Sequence, residues 1–414
     1  MTRIAKSRGH YKWGKPPWKV SFRSRTQAIP DHVDFAIVGG GFTGLSAAAW
    51  LATISKKSSV LLLESENLGN GASGRTGGMA LSQTAAGDLP GLGDVLKGYR
   101  EILAKLRVKA DLHLPGVWEI ARGNQSMEGK ALHPLANSPI EWNDSGRVRA
   151  VGKVPGGTVD PGKTISRLAH AAQKAGAKIA EHAEVHRIEF RNSVRLFVRR
   201  QQNGKTCEII VSAKKVLLAT NAGSLDLMGG AFDEREPAEP KLTFALATAP
   251  LTKKQIAALG MKSGRPFYTV DFPYLWGRRL RNKMIFGSGL APAFAEPLRS
   301  AKHERSLHEA ANRVWSGLEN FDVRRGDAKD RLKSLEARVR RMHPALKSVR
   351  VTHRWGGPIL ITNGFRPVFR QHPGSDNVIV AGGYSGHGVA LSVYLGRWAA
   401  ECMLGRRKLP KWHR

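Results

Sequence analysis

The stretch that decides the fold runs Val33-Asp34-Phe35-Ala36-Ile37-Val38, then Gly39-Gly40-Gly41-Phe42-Thr43-Gly44, then Leu45-Ser46-Ala47-Ala48-Ala49-Trp50-Leu51-Ala52. The first part is an apolar run of strand formers. The last is a small-residue helix. The glycines between them, at 39, 41 and 44, have the G-x-G-x-x-G spacing of a dinucleotide-binding turn. Gly39 allows the tight turn, Gly41 lets main-chain N–H groups approach a pyrophosphate, and Gly44 lets the helix pack close to the strand. A helix N-terminus stabilises the diphosphate charge. A second apolar run, Val60-Leu61-Leu62-Leu63, ends in Glu64, 20 residues beyond Gly44. A carboxylate at that place accepts ribose hydroxyl hydrogen bonds.

Working outward, Leu68-Gly69-Asn70-Gly71-Ala72-Ser73-Gly74-Arg75-Thr76-Gly77-Gly78 is a second glycine loop just after the acid. A nicotinamide enzyme has no need of it. The sequence at this point resembles the D-amino-acid-oxidase-like superfamily of FAD-dependent oxidoreductases. It is most similar to the amine-oxidising branch typified by gamma-glutamylputrescine oxidase, which has Asn where Thr76 stands. Two later stretches extend the resemblance over roughly residues 30–405: Val216-Leu217-Leu218-Ala219-Thr220-Asn221-Ala222-Gly223, and residues 377–389 with Gly382-Gly383-Tyr384-Ser385-Gly386-His387-Gly388-Val389.

The resemblance implies a fold and a site. The fold is α/β (α+β overall): a Rossmann-type FAD-binding domain with an inserted substrate domain on a mostly antiparallel sheet. The segmentation expected is 30–100, 155–230 and 350–405 for FAD, and 101–154 and 231–349 for substrate. Noncovalent FAD is expected at Gly39, Gly41, Phe42, Thr43, Gly44, Glu64, Ser73, Gly74, Arg75, Thr76, Gly77, Val185, Thr220, Asn221, Gly383, Gly386, His387, Gly388 and Val389. A helix starting at Gly386–Val389 would aim its amides at the flavin edge where negative charge develops. Relatives with covalent flavin use a cysteine in the C-terminal third; neither Cys207 nor Cys402 matches that place.

The family's flavin takes a hydride equivalent from the carbon bearing an amine, and the imine then hydrolyses. The expected substrate is a small-molecule amine or amino-acid-like compound, a free alpha-amino acid being an alternative, with oxygen or another electron acceptor. Members that oxidise alpha-amino acids carry an arginine two residues after the second glycine of a W-G-G motif. Here Trp355-Gly356-Gly357 is followed by Pro358-Ile359, and Ile cannot make a bidentate carboxylate clamp. The Ile361-Thr362 ending also fits the amine branch. Trp355 and His387 are expected at the substrate pocket and flavin, with a buried core tryptophan the alternative for Trp355. Tyr268, Tyr274 and Trp276 are candidates for an aromatic cage around an ammonium. Lys283 is a candidate for assisting reaction with oxygen.

Composition frames this. The chain has 414 residues, 41% hydrophobic, with 66 Lys+Arg against 33 Asp+Glu, net +33. It can bury a real core and is not wholly disordered. Two cysteines cannot make a disulfide framework, so a cytoplasmic, reducing setting is expected. Residues 1–30 hold eight bases and no acid, without the apolar stretch of a signal peptide. Residues 36–54 and 377–396 lack charge but are broken by glycines, so no transmembrane segment is expected. Residues 1–29 read as a basic arm and 406–414 as a basic tail. Residues 303–318 and 332–343 read as helices, the latter stopped by Pro344. The charge leaves open a tRNA-modifying flavoenzyme, since a basic protein binds nucleic acid by neutralising phosphates. No RNA-binding motif supports it, and that reading is not favoured.

Overall fold

A computed structural model describes residues 12–24, 28–123, 126–127, 130–202, 205–223, 227, 238–271, 273–292 and 321–412. The helix expected over 303–318 lies outside these residues.

Two eight-stranded sheets organise the chain. The first is parallel where the glycine motif is. His32–Val38 lies between Val60–Leu63 and Lys205–Leu218, and all three run the same way. Lys178–Ala180 adds outside Val60–Leu63, and Ser375–Gly382 adds to Lys205–Leu218, both parallel. The antiparallel strands Val194–Gln202 and Ala183–Phe190 extend the other end. The parallel strands read as unbroken apolar runs because both their faces are covered. Helices Phe42–Ile54, Val95–Lys105, Pro161–Lys174 and Gly388–Met403 supply one cover, packing Leu45, Leu51, Tyr99, Ile165 and Leu395 into one core. Phe42–Ile54 is buried from Phe42 through Ala52, which its run of alanines permits. Against it lies Gly396, where a Cβ would meet the Thr43 carbonyl oxygen at 2.3 Å.

The second sheet runs, in order, Val351–Thr362, Ala238–Thr248, Lys283–Pro292, Leu275–Leu280, Phe267–Thr269, Val117–Arg122, Arg147–Val154 and Glu141–Asn143. Phe267–Thr269 pairs in parallel with Val117–Arg122. The other pairings are antiparallel. Helix Gly326–Met342 packs Leu335, Val339 and Met342 into the core of this sheet.

Two expected boundaries shift here, and both terminal segments are docked. Val351–Thr362, assigned with the cofactor segments, hydrogen-bonds along its length to Ala238–Thr248. Helix Val95–Lys105 crosses the expected boundary at 101 and stays with the first core. The basic arm is docked over residues 12–24, where Trp13, Trp18 and Phe22 are buried. The basic tail is tied down too: Trp412 is buried, meets Trp398 edge-on at 5.6 Å, and donates to the Pro367 carbonyl. In both terminal segments large aromatics dictate docking, and the flanking bases stay outside. No helix of the described residues is long and apolar enough to cross a membrane.

Candidate functional site

The carboxyl ends of the parallel strands open onto one cavity of about 450 Å³. Ligands bind at this end of open α/β sheets. Four of the parallel strands hand the chain to a turn on the cavity wall: Gly39–Gly41 after His32–Val38, Glu64–Glu66 after Val60–Leu63, Ala219–Asn221 after Lys205–Leu218, and Ser385–Gly388 after Ser375–Gly382.

The glycine turn is shaped by contacts no side chain could share. Gly39 has φ +110°, and a Cβ there would lie 2.6 Å from the Ala219 carbonyl oxygen. A Cβ on Gly44 would lie 2.0 Å from the Gly39 carbonyl oxygen. Glu64 holds the turn, its carboxylate accepting from Gly40 N–H at 2.7 Å and Glu66 N–H at 2.9 Å. Burial raises the Glu64 pKa, and those two main-chain bonds oppose the rise. Ser73 Oγ accepts from Phe42 N–H at 3.0 Å, joining the second glycine loop to the first.

Helix N-termini differ according to what they face. Val95–Lys105, Pro161–Lys174 and Lys253–Ala258 are capped by Asp94, Asp160 and Thr252 side chains. Phe42–Ile54 and Gly388–Met403 have no side-chain cap and no acid in the first turn, and both begin on the cavity wall. (Gly326–Met342 also lacks a cap, but it carries Asp327 in its first turn and lies off the cavity.) Uncapped amides of a helix start are donors for an anion. The two starts are joined by the Tyr384 hydroxyl, 2.6 Å from Thr43 Oγ1. Beside them His387 Nδ1 is buried without a hydrogen-bond partner. Burial holds the His387 pKa below the ordinary value, which keeps the ring neutral near pH 7. Ser392 Oγ, also on the wall, is likewise buried and unpartnered.

Of the residues expected at the cofactor, Gly39, Gly41, Phe42, Thr43, Glu64, Ser73, Arg75, Thr76, Gly77, Val185, Thr220, Asn221, Gly386, His387, Gly388 and Val389 line the cavity. Gly44, Gly74 and Gly383 do not. They are framework: Gly44 sits inside its own turn, Gly74 accepts from Trp18 Nε1 at 2.7 Å, and Gly383 N–H donates to Asn221 Oδ1 at 2.9 Å. Arg75 is on the wall but engaged, its guanidinium donating to Asn70 and to the Gly14 carbonyl.

The residues expected at the substrate fare differently. His387 lines the cavity; Trp355, Tyr268 and Lys283 do not. Trp355 is 1% exposed and donates Nε1–H to the Arg75 carbonyl at 2.8 Å, so it is a core strut. The Tyr268 hydroxyl donates to Glu119 at 2.7 Å, away from the cavity. Lys283 opens its strand at the hairpin turn opposite Leu280. Tyr274 and Trp276 do reach the wall, with Trp13, Thr243, Gly289, Gly357, Ile359 and Phe365. Trp276 fills the space left by Gly77 and Gly287, where added Cβ atoms would lie 2.1 and 2.0 Å from its ring. Trp13 was invisible in sequence because it sits among scattered bases in the arm. Neither Cys207 nor Cys402 lines the cavity.

These features fit a flavin dinucleotide. The glycine turn and helix start would take the pyrophosphate, and Glu64 the ribose. Ala183 and Val185 offer the adenine an apolar wall, and the His387–Val389 helix start would take the flavin edge.

The sequence pattern of the FAD dependent oxidoreductase family, DAO, matches residues 34–402. The chain is 25% identical to gamma-glutamylputrescine oxidoreductase of Escherichia coli, over 90% of this chain and 84% of that one. It is equally 25% identical to a probable oxidoreductase, OrdL, of Haemophilus influenzae, over 91% and 84%. Among solved structures, glycine oxidase of Bacillus cereus superposes with a TM-score of 0.62 at 20% identity, covering 92% of this chain and all of that one. L-Amino acid deaminase of Proteus myxofaciens does so with 0.65 at 16% identity, covering 96% of each. The chain therefore belongs to the DAO family of FAD-dependent oxidoreductases.

Proposed function

We propose that this protein oxidises the C–N bond of a small amine that lacks an alpha-carboxylate, using noncovalently held FAD. The observation that carries this reading is the sheet-side wall of the cavity. Among the described residues, Trp13, Tyr274, Trp276, Ile359, Phe365 and Tyr384 line it with aromatic and aliphatic surface and no basic side chain free to clamp a carboxylate. Ile359 stands on that wall where a clamping arginine would be needed. Arg75, the basic residue on the cavity wall, already donates to Asn70 and Gly14. The name of the Escherichia coli relative, an oxidoreductase of a substituted amine, agrees with the reading.

When bound, the flavin supplies the acceptor for the hydride equivalent leaving the carbon next to nitrogen. The chain's own residues position and desolvate. Gly39–Gly41, Phe42, Thr43, Ser73, Thr76, Gly77, Thr220 and Asn221 would hold the cofactor, and the two uncapped helix starts would meet its negative charge. Burial pushes the Tyr274 hydroxyl up to about 12, so it faces the substrate as a neutral hydrogen-bonding group. Tyr274 and Trp276 present ring faces that attract an ammonium or pack on alkyl chains. His387, neutral, leaves Nδ1 to a bound group. Oxygen or another acceptor would take up the electrons in the end, and the setting proposed is cytoplasmic.

An anaerobic screen of amines, polyamines and amino acids against the flavin absorbance tests this. Bleaching by amines and not by alpha-amino acids is expected. Bleaching by alpha-amino acids alone would sink it and favour the second reading, an amino-acid oxidase, which the names of the structural neighbours suggest. The tRNA-modifying alternative has no finding in its favour. Tight, salt-sensitive retention of tRNA on a filter would revive it.

A further inference from the structure

Residues 12–24 precede the segment matched by the family pattern, which begins at residue 34, yet they are fastened to both halves of the molecule. At the second sheet, Lys12 N–H donates to the Phe321 carbonyl and Val323 N–H to the Lys12 carbonyl, each at 3.0 Å. Gly356 N–H donates to the Trp13 carbonyl at 2.8 Å. Gly14, with φ +77°, crosses so closely that a Cβ would lie 2.2 Å from the Arg354 carbonyl oxygen. At the first domain, Ser21 N–H donates to Ser166 Oγ at 2.8 Å. A Cβ on Gly162 would there lie 2.3 Å from the Lys19 carbonyl oxygen. Glycine thus stands at both crossings, once in the arm and once in the body beneath it.

Two tryptophans of the arm each lie near a guanidinium, one that of half-buried Arg75 and the other that of buried Arg278. Arg75 Cζ is 5.5 Å from the Trp13 ring centre, and Arg278 Cζ is 5.8 Å from that of Trp18. Burial pushes both arginines down to about 10. Arg278 donates Nη1–H to the Val159 carbonyl at 2.8 Å, while its Nε and Nη2 have no hydrogen-bond partner. For a desolvated guanidinium short of hydrogen-bond partners, an aromatic face is an attractive neighbour. Trp13 also packs on Phe321 at 4.5 Å, and it lines the cavity.

We propose that residues 12–24 form a strap that completes the cavity, and that Trp13 on it contacts the substrate and sets how bulky an amine the sheet-side end accepts. The second half of this proposal rests on the amine-oxidising reading above. The strap itself does not. It explains why a segment with the composition of a solvent-exposed arm carries buried aromatics. It also explains why Arg75 spends one N–H on the Gly14 carbonyl.

Two experiments on the full-length protein test it. Trypsin is used first, because Lys19 and Arg23 are exposed on the strap while its main chain is docked. Gly14→Val should speed cleavage at Lys19 and Arg23 at least roughly tenfold, as expected when a docked segment opens locally. Cleavage at the wild-type rate overturns the strap. The second measures flavin content, kcat and KM for Trp13→Ala and Trp13→Phe against primary n-alkylamines and their N-benzyl derivatives. Flavin content near wild type is expected in both variants. For Trp13→Ala the preference for the unbranched amine should fall about 10- to 100-fold, the range reached by reshaping an apolar pocket. Trp13→Phe should restore most of it. If Trp13→Ala changes every amine by one common factor, or none at all, Trp13 is packing only and its substrate role is overturned. If the flavin-loaded wild type oxidises no amine in the series, the substrate reading fails and takes the role of Trp13 with it. The trypsin result still decides the strap.

Discussion

The wall that faces the nucleotide end of the cavity is made largely of main chain: Gly39–Gly41, Gly69, Gly71 and the starts of two uncapped helices. The wall on the side of the second sheet is made of side chains, with Trp13, Tyr274, Trp276, Ile359 and Phe365 arriving from three separated stretches of chain. The first wall presents amide donors, and only residues without a Cβ let them approach a ligand. It therefore has one workable composition and a fixed spacing. The second wall presents shape and apolar surface, which many side-chain sets can supply. The two walls consequently tolerate change differently, and that difference can be tested.

The largest effect is expected at Gly44. A Val there places its Cβ 2.0 Å from the Gly39 carbonyl oxygen, against main chain that cannot give way. The change should exceed the roughly 3 kcal/mol of ordinary overpacking. Gly44→Val protein should emerge without bound flavin; a fully yellow preparation would break the account of the main-chain wall.

Next is the ion network behind the second wall. Asp144 is buried between Arg122 and Arg338, at 2.5 and 2.7 Å. Arg338 in turn donates to the Tyr274 carbonyl at 3.0 Å. Removing one member of a buried network leaves unpaired charge, at a cost of about 3–5 kcal/mol. Asp144→Ala should lower the urea midpoint accordingly. In protein that still folds, amine KM should rise while FAD affinity stays within about threefold, because Tyr274 and not the glycine turn loses support. Equal losses in both would show that the walls are coupled.

Glu64→Gln sharpens the contrast from the other side. A hydrogen bond to a charged group contributes about 1.5–3 kcal/mol. Weakening the carboxylate that holds Gly40 and Glu66 should weaken FAD about 10- to 100-fold by equilibrium titration. The ranking of amines should not move.

The smallest effect is at Asp34, near the start of the first strand. Bonds from Lys214 and from Ser59 lower its pKa to about 2. A depressed carboxylate stabilises the fold above its ordinary value of 3.8, and that contribution is lost as pH falls toward 2. Asp34→Asn should therefore be about 1 kcal/mol less stable than wild type at pH 7, an ordinary hydrogen-bond effect. The gap should narrow by pH 3 in urea titrations. A gap that is constant with pH would mean that the charge contributes nothing.

Legibility followed the same division. The strand, glycine turn, helix and terminal acid at residues 33–64 could be read locally because each residue type answers a local demand of main-chain geometry. Gly74 and Gly383 were read as ligand contacts and lie off the cavity wall, while Gly44 serves the close helix packing its spacing implied; spacing identifies a turn but not which of its atoms faces outward. Trp355 and Tyr268 were candidates for the substrate pocket and Lys283 for the reaction with oxygen; packing keeps all three off the cavity wall, with Trp355 in the core that was its alternative. Aromatic type is shared by pocket walls and cores, so it does not distinguish them. Trp13 had no local signal at all, since its role depends on Gly14 and Gly356 bringing two distant segments together.

By itself the sequence determined the parallel strands around the glycine turn and the family. These depend on glycines at fixed spacing and on apolar periodicity within a few dozen residues. Only the tertiary structure decided that Val351–Thr362 joins the second sheet, that the basic arm is docked, and which aromatics face the cavity. Those outcomes depend on which surfaces exclude water together, and that is a property of contacts between residues hundreds of positions apart.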